Sequence, residues 1–346
     1  MEREPFAVSV AIPAYNEAAR IGKAIASIRA QQEPPAEIIV VDDGSQDATS
    51  EIARALGARV LRQANAGVGA ARNYAIREAT SPWIAFCDAD DLWYPGKLAD
   101  ARRASEARPG VDFLFSDYCV ENGGRIDVPS TFAVSPEFEN HVCERIGDRI
   151  CFFEGGVLAR ALAQCNFVAP STVLARRSLL LERSIFFASG LPQDSNYYVS
   201  EDLEWYLRVL RATDAVATER VLMQYHRHAG SLSANAGRVR HGEVKLGEMI
   251  AQAPERYVDG LAEVFAGHRR RHLRDSARYY GRALRFREMQ ATLREAQRVE
   301  FRLRDEALWL LAGIATLPGA RWFAGTVKWT WHHFLKPTLR RNRPAR

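Results

Sequence analysis

Short apolar runs alternate with segments of helical periodicity in the first hundred residues, and this alternation restricts the fold more than any other feature. The runs are too apolar for surface hairpins and predict buried strands over Val8–Ile12, Glu37–Val41, Ala58–Leu61 and Trp83–Phe86. Helices are predicted between them, over Ala18–Gln31, Ala48–Leu56 and Val68–Ala79. Because βαβ crossovers are right-handed, this order predicts an α/β fold with a mostly parallel sheet flanked by helices.

Polar segments follow three of the predicted strands directly. These segments are Pro13–Asn16, Asp42–Ser45 and Asp88–Asp91. Ligands of such sheets bind where the carboxyl ends of the strands open. We therefore expect the functional site at this edge.

The remaining chain is less regular. A strand is predicted within residues 111–118 and a helix over Glu201–Leu210, whereas residues 121–165 are rich in glycine and charge and receive no assignment. From about residue 238 onward the pattern is almost wholly helical. The sequence thus predicts a catalytic domain over residues 1–235 and a helical C-terminal region over residues 236–346.

Composition indicates a folded protein of a reducing compartment. The chain is 47% hydrophobic and 26% charged, which is typical of globular domains. Its five cysteines are an odd number with no CxxC pair, so neither a zinc site nor redox chemistry is indicated. The N-terminus lacks a signal-peptide pattern, and we expect a cytoplasmic protein.

The acidic segment after the fourth predicted strand suggests a metal site. Asp88, Asp90 and Asp91 would repel one another unless a cation or hydrogen-bond donors balance their charge. Carboxylate oxygens suit Mg²⁺ or Mn²⁺, which keep open positions for phosphate oxygens. The alternative is an acidic turn that caps the helix after Pro95.

Two other segments are compatible with a nucleotide site. Asp42 and Asp43 could accept hydrogen bonds from a base or a ribose, although this segment also reads as a simple turn. The glycine-rich segment 65–73 fails the GxGxxG fingerprint because Arg72 occupies the third glycine position. This argues against a dinucleotide-dependent dehydrogenase and leaves an arginine suited to a diphosphate.

Taken in order, these motifs resemble the nucleotide-sugar half of family 2 glycosyltransferases, which have the GT-A fold. The resemblance extends over roughly residues 5–235. It is carried by the segments 13–16, 41–45, 65–73 and 88–91, by Trp93, Pro95 and Lys97, and by the segments 200–203 and 225–233.

The resemblance implies a donor site for a nucleotide-diphosphate sugar, most simply a UDP-sugar. Tyr15 and Asp43 would contact the base, Asp42 would shape that pocket, and Arg72 would lie near the diphosphate or the sugar. Asp90 would be the principal ligand of Mn²⁺ or Mg²⁺. The other residues implied on the donor side are Pro13, Asn16, Asp88, Ala89, His228 and Ser231, with Asp88 and His228 as further candidate metal ligands.

The resemblance also implies the catalytic groups. Asp202 would be the general base that takes the proton of the acceptor hydroxyl, and Glu201 would orient the substrate or the local backbone. One base and direct displacement mean inversion at the anomeric carbon. The same segment also reads as an amphipathic helix whose acidic residues favour its N-terminus.

The C-terminal tail combines tryptophan with positive charge. Residues 307–335 hold four of the seven tryptophans, and no acidic residue follows Glu306. The apolar run Ala307–Leu317 is too short to cross a hydrocarbon core of about 30 Å. We expect this tail to make a peripheral contact with the inner face of the membrane. The alternative is that the tail packs on protein. No nucleic-acid motif accompanies the arginines.

The expected reaction is transfer of a sugar to a glycan or a lipid-linked saccharide. Two alternatives remain open at this stage: a metal-dependent phosphohydrolase that uses the acidic segment, and a non-catalytic protein that binds sugar nucleotides or a membrane surface. The phosphohydrolase would want its nucleophilic aspartate after the first strand, where this chain has Pro13–Tyr15. The sequence names neither the sugar nor the oligomeric state.

Overall fold

The computed structural model describes residues 6–189, 200–228, 236–282 and 286–299. The alternation predicted for the first hundred residues is confirmed. The elements there are β1 Val8–Ala14, α1 Ile21–Arg29, β2 Glu37–Asp42, α2 Thr49–Ala55, β3 Arg59–Arg62, α3 Val68–Glu78 and β4 Trp83–Phe86. β1 pairs in parallel with β2 and β4, and β2 pairs in parallel with β3. Every residue of β1 and β4 is buried, which explains their near-continuous apolar sequence.

The next part of the chain completes the sheet with strands of both directions. Its elements are β5 Leu92–Trp93, α4 Lys97–Ala107, β6 Phe113–Asn122, β7 Arg125–Val128, α5 Pro136–Asn140, β8 Glu144–Arg145, β9 Ile150–Phe153, α6 Gly155–Gln164, β10 Leu174–Arg176, α7 Arg177–Glu182, α8 Glu201–Val209 and β11 Ala215–Arg227. The predicted strand within residues 111–118 is β6, and the predicted helix after Ser200 is α8.

The sheet order is β3-β2-β1-β4-β10-β6-β11-β9-β8, with β5 on β11 and β7 on β6. β10 is antiparallel to both β4 and β6. It therefore joins the parallel N-terminal block to the β6–β11 pair, which is itself parallel. The unassigned stretch 121–165 contains the short elements from β7 to α6, and β9 extends the sheet beyond β11.

Core residues lie on both faces of the sheet because successive side chains of a strand point in opposite directions. In β2, Ile39 and Val41 belong to one hydrophobic cluster, and Ile38 and Val40 belong to the other. This is the layered arrangement that the sequence predicted.

The helical C-terminal region consists, in its described part, of α9 Ala236–Gln252, α10 Leu261–Arg282 and α11 Phe286–Val299. Leu246, Ile250, Leu261 and Phe265 belong to the same core cluster as Trp205 of α8, so these helices pack against the sheet domain. The boundary at residue 235 stays a prediction. No helix in the described ranges is long and apolar enough to span a bilayer. The tryptophan-rich tail lies outside those ranges.

Candidate active site

A cavity of about 780 Å³ opens at the edge of the sheet where β1, β2 and β4 end. Pockets that bind small molecules usually enclose roughly 300–1,000 Å³. The predicted site residues that line it are Pro13, Tyr15, Asp43, Arg72, Asp88, Ala89, Asp90, Glu201, Asp202 and His228. The fold thus brings side chains from distant parts of the sequence to one place.

Asn16 and Asp42 are not among the described residues that line this cavity, and their side chains hold neighbouring loops. Asp42 is fully buried, and its carboxylate accepts hydrogen bonds from the Ser45 N–H, at 2.7 Å, and from the Ser50 hydroxyl. Burial opposes the ionisation of Asp42, yet these hydrogen bonds outweigh it and lower the pKa of the carboxyl. The N–H of Asn16 donates to Ser45 Oγ at 2.9 Å, which ties the end of β1 to the end of β2.

Asp43 lines the cavity, and both of its oxygens also hold the glycine-rich loop before α3. Oδ1 accepts from Gln63 Nε2 at 2.7 Å and from the Ala66 N–H at 2.8 Å, and Oδ2 accepts from the Gly67 N–H at 2.8 Å. Gly67 has φ +92°, a conformation that favours glycine. Contact of Asp43 with a base stays a prediction, and the observed contacts shape the loop that leads to Arg72.

In the acidic segment after β4, hydrogen bonds do not compensate for the burial of the carboxylates. Asp91 is buried, and its carboxylate accepts from the Ser171 hydroxyl at 2.6 Å and from the His226 N–H at 3.1 Å. Burial and the charges of Asp90 and Asp88 nevertheless raise the pKa of Asp91 well above its usual range. Two hydrogen bonds therefore do not offset the loss of solvation at this carboxylate.

Asp90 faces the cavity in a similar electrostatic environment. Burial and the charge of Asp88 raise its pKa, and the His228 ring nitrogen Nε2 lies 3.0 Å from its Oδ2. Cations stabilise the charged form of such a carboxylate and lower its pKa. The site therefore has the electrostatic character of one that gains stability when a cation binds.

Arg72 joins the two acidic groups of the cavity. Its guanidinium donates to Asp88 Oδ1 at 2.8 Å and to Glu201 Oε1 at 3.0 Å, and its side chain is only 2% exposed. Its Nε is buried without a hydrogen-bond partner among the described residues. The glycine-rich segment thus places one buried arginine between the end of β4 and the start of α8.

The pKa values of Glu201 and Asp202, in the first turn of α8, are both raised. Burial and the charge of Asp202 raise the pKa of Glu201 to about 7. Burial raises the pKa of Asp202 to about 6, although the Leu203 N–H, 2.7 Å from Oδ1, and the charge of Arg72 act against this shift. A carboxylate with a pKa of about 6 that lines a cavity can accept a proton near neutral pH.

The ligand set predicted for a metal is partly assembled. Asp88, Asp90 and His228 all line the cavity, yet no group of three histidine, cysteine, aspartate or glutamate side chains in the described ranges is close enough to hold a metal alone. The raised pKa of Asp90 and the oxygen-rich donor set fit Mn²⁺ or Mg²⁺, ions that take further ligands from phosphate and water. Ser231 lies outside the described residues.

No sequence motif indicates how the backbone and side chains of the acidic segment are held by the residues packed against it. The Ser171 hydroxyl accepts the Asp88 N–H at 2.9 Å and donates to Asp91, while Trp93 Nε1 donates to the Ser171 carbonyl at 2.9 Å. The buried Lys97 ammonium donates to the neighbouring Thr172 carbonyl at 2.9 Å. The one signal that the sequence offers for this support is the Pro-Ser-Thr triplet at 170–172.

Comparison with known proteins identifies the family of the chain that forms this site. A model described as glycosyl transferase family 2 matches residues 9–167. An uncharacterized glycosyltransferase, YibD of Escherichia coli K12, is 42% identical over 73% of this chain and 73% of its own length.

Two further relatives carry functional names. The succinoglycan biosynthesis protein ExoU of Rhizobium meliloti is 32% identical over 60% of this chain, and the match spans 57% of the length of ExoU. WfaP of Escherichia coli, a UDP-Glc:α-D-GlcNAc-diphosphoundecaprenol β-1,3-glucosyltransferase, is 28% identical over 66% of this chain and 80% of its own length.

Solved structures share the fold. TarS 1–349 of S. aureus, in complex with UDP-GlcNAc, aligns with a TM-score of 0.59 at 18% identity over 98% of this chain and 93% of its own. The mannosyltransferase PcManGT of Pyrobaculum calidifontis, in complex with GDP-Man and Mn²⁺, aligns with a TM-score of 0.52 at 20% identity over 99% of this chain and 89% of its own. These likenesses confirm the GT-A fold expected from the sequence.

Proposed function

The chain belongs to glycosyltransferase family 2, and from this premise we propose that it transfers a sugar from a nucleotide-diphosphate sugar to a hydroxyl group of a glycan or lipid-linked acceptor. The observation that carries this proposal is the shared cavity. It joins acidic side chains at the end of β4 to Asp202, whose pKa of about 6 suits a base.

Asp202 is the proposed general base. An acceptor hydroxyl is a weak nucleophile, so a carboxylate within hydrogen-bond reach must take its proton during attack on the anomeric carbon. Burial raises the pKa of Asp202, which strengthens it as a base while leaving it ionised at neutral pH. A single base and direct displacement imply inversion of configuration.

Arg72 and Glu201 position this base. The two bonds of Arg72 fix the start of α8 relative to Asp88, and its charge opposes the rise in the pKa of Asp202. Glu201 is 10% exposed and is held by Arg72, so it orients the first turn of α8 more directly than it contacts a substrate.

Asp90, with Asp88 and His228, would hold Mn²⁺ or Mg²⁺ together with phosphate oxygens of the donor. A divalent ion there supplies Lewis-acid neutralisation of the charge that develops on the leaving diphosphate. The raised pKa of Asp90 supports this assignment, because a cation would relieve the repulsion between it and Asp88.

A UDP-sugar is the proposed donor. Tyr15 is 47% exposed at the cavity, where its ring is available to stack on a base, and Asp43 lines the same cavity. The UDP-GlcNAc complex of TarS and the UDP-Glc in the name of WfaP support this choice, and the GDP-Man complex of PcManGT indicates the alternative nucleotide.

The proposed acceptor is a growing surface glycan or its lipid-linked precursor, met at the cytoplasmic face of the membrane. The names of ExoU and WfaP support this class, and the basic, tryptophan-rich tail would supply the peripheral contact.

The experiment is a screen of UDP-, GDP- and dTDP-sugars with the purified full chain, in the presence of Mn²⁺ or Mg²⁺ and with EDTA as the control. We expect release of the nucleoside diphosphate from one donor, dependent on metal and accelerated by acceptor. Release of inorganic phosphate would instead indicate a phosphohydrolase. Binding of a sugar nucleotide without any turnover would indicate a non-catalytic protein.

A further inference from the structure

The cavity has a second wall that none of the sequence motifs includes. The described residues of this wall are Gln164, Cys165 and Asn166 at the end of α6, and Val239, Arg240 and Glu243 on α9. α6 follows β9, which lies beyond β11 in the sheet and far from β1 and β2. The two walls therefore belong to opposite halves of the sheet, and Asp202 of α8 lines the same cavity.

The charges on this wall are balanced. Arg240 Nη1 lies 2.8 Å from Glu243 Oε2 and 3.2 Å from Glu243 Oε1. His272 Nδ1 lies 3.1 Å from the same Oε2, but burial and the charge of Arg240 lower the pKa of His272 to about 3, so its ring is neutral. Arg240 and Glu243 carry opposite charges that offset each other; burial raises the pKa of Glu243, and the charge of Arg240 acts against that rise.

The uncharged groups on the wall are amides. The side chain of Asn166 is fixed because its Oδ1 accepts the Val168 N–H at 3.1 Å. Gln164 is exposed and carries both a donor and an acceptor. Amides beside a carboxylate–guanidinium pair can donate to and accept from hydroxyl groups without adding net charge.

We propose that Gln164, Asn166, Arg240 and Glu243 form the binding site for an uncharged, hydroxyl-rich saccharide unit of the acceptor. The Arg240–Glu243 pair then determines which hydroxyls are recognised, because its planar groups present donors and acceptors at fixed spacing. As an acceptor site the proposal rests on the proposed transfer, since it places the acceptor sugar in the cavity that Asp202 lines.

The first test measures binding without catalysis. Cys165 lines this wall, and Cys143 is the other exposed cysteine in the described ranges. In a Cys143→Ser background, alkylation of Cys165 by iodoacetamide is followed at alkaline pH, because burial raises the pKa of its thiol. The probes are p-nitrophenyl glycosides of common hexoses and 2-acetamidohexoses.

We expect at least one glycoside to slow the alkylation of Cys165. The double variant Arg240→Met, Glu243→Gln should abolish this protection. The matched control is Lys245→Met, Glu248→Gln, which removes another charged pair of α9, separated by 3.0 Å and absent from the cavity wall. Protection by no glycoside, or equal protection in the double variant and the control, would overturn the proposal.

The second test uses the donor identified in the screen. Removing hydrogen bonds from charged groups should raise the KM for the protecting glycoside roughly ten- to a hundredfold in the Arg240–Glu243 variant. The KM for the donor and its slow hydrolysis without acceptor should stay unchanged. An equal rise in both KM values would contradict a site specific to the acceptor.

The two proposals fail in different ways. Protection of Cys165 without turnover of any donor would leave the saccharide site standing and remove the transferase function. Donor turnover without protection of Cys165 by any glycoside would leave the transferase function standing and remove the saccharide site.

Discussion

Two strands of the same sheet edge end in consecutive acidic residues, yet the protein treats the two ends in opposite ways. At the end of β2, Asp42 and Asp43 receive five hydrogen bonds from neighbouring backbone and side-chain donors. At the end of β4, burial and mutual repulsion raise the pKa of Asp90 and Asp91. The hydrogen bonds at the first end outweigh the cost of burial at Asp42, whereas the partners of Asp90 and Asp91 at the second end do not.

The difference concerns stability as well as binding. The pKa of Asp42 is lowered, so the ionised carboxylate stabilises the fold above its unfolded pKa, and this contribution is lost as the pH falls through the folded value. The pKa of Asp90 is raised, so its charge opposes folding at neutral pH, and that opposition disappears as the pH falls through its folded pKa. We infer that the charged carboxylates at the β4 end lower the stability of the fold and serve binding instead.

The largest effect is expected at Asp202, the residue after Glu201, which Arg72 joins to Asp88 at the β4 end. Asp202→Asn should lower the transfer rate by about 10²–10⁴-fold, because an amide cannot take the acceptor proton. Binding of the donor nucleotide, measured by calorimetry, should be unchanged. Normal turnover in this variant would show that the base lies elsewhere.

Asp90→Asn should separate activity from stability. Transfer should fall by about 10²-fold or more, because the divalent ion proposed to neutralise the leaving diphosphate would lose its proposed principal ligand. The melting temperature without metal should not fall, since the substitution removes a repulsive charge. Mn²⁺ should raise the melting temperature of the wild type and not of the variant. A variant that is much less stable without metal would break the comparison between the two ends.

The reciprocal change at the β2 end should mainly affect folding. Asp42→Ala leaves the Ser45 N–H and the Ser50 hydroxyl without their acceptors and should lower the free energy of unfolding by about 1–3 kcal/mol. Chemical denaturation measures this change. Asp127→Ala, which removes an exposed carboxylate paired with Arg125, is the control and should have little effect. Equal losses in the two variants would mean that the contacts of Asp42 are not special.

The smallest effect concerns pH. Asp202 must be ionised to act as a base, so kcat/KM should fall about tenfold per pH unit below about pH 6. Because Glu201 and Asp202 interact, the apparent pKa values in the pH profile of activity belong to the pair and should lie between about 6 and 7. Circular dichroism should show an intact fold over this range. A flat activity profile down to pH 5 would argue against Asp202 as the base.

Most of the fold could be predicted because it depends on local patterns. Apolar runs and turn residues located β1 to β4 within one or two residues, and the crossover rule then fixed their parallel pairing. The stretch 121–165 could not be assigned because β8 has only two residues, and β9, although as long as β3 and β4, follows another short strand and not a helix, so the βα alternation that located β3 and β4 is missing. The antiparallel position of β10 is a long-range pairing with no local signal.

Most of the candidate residues that line the cavity could be named from the sequence, but the contacts between them could not. The acidic segments, Arg72 and the Glu201–Asp202 pair stand out in the sequence because charge follows buried strands or begins a helix. The support from Ser171, and the wall that includes Arg240 and Glu243, have no comparable signal in the sequence. Ordinary polar residues acquire a role there only through neighbours that are distant in the chain.

The sequence by itself determined where strands end and which chemical groups are found at those ends, because periodicity and residue type are local properties. Only the tertiary structure decided which carboxylates would be satisfied and which would remain in repulsion. The reason is physical: the pKa of a buried group depends on burial and on the donors and charges within a few ångströms. Those neighbours come from parts of the chain that folding alone brings together.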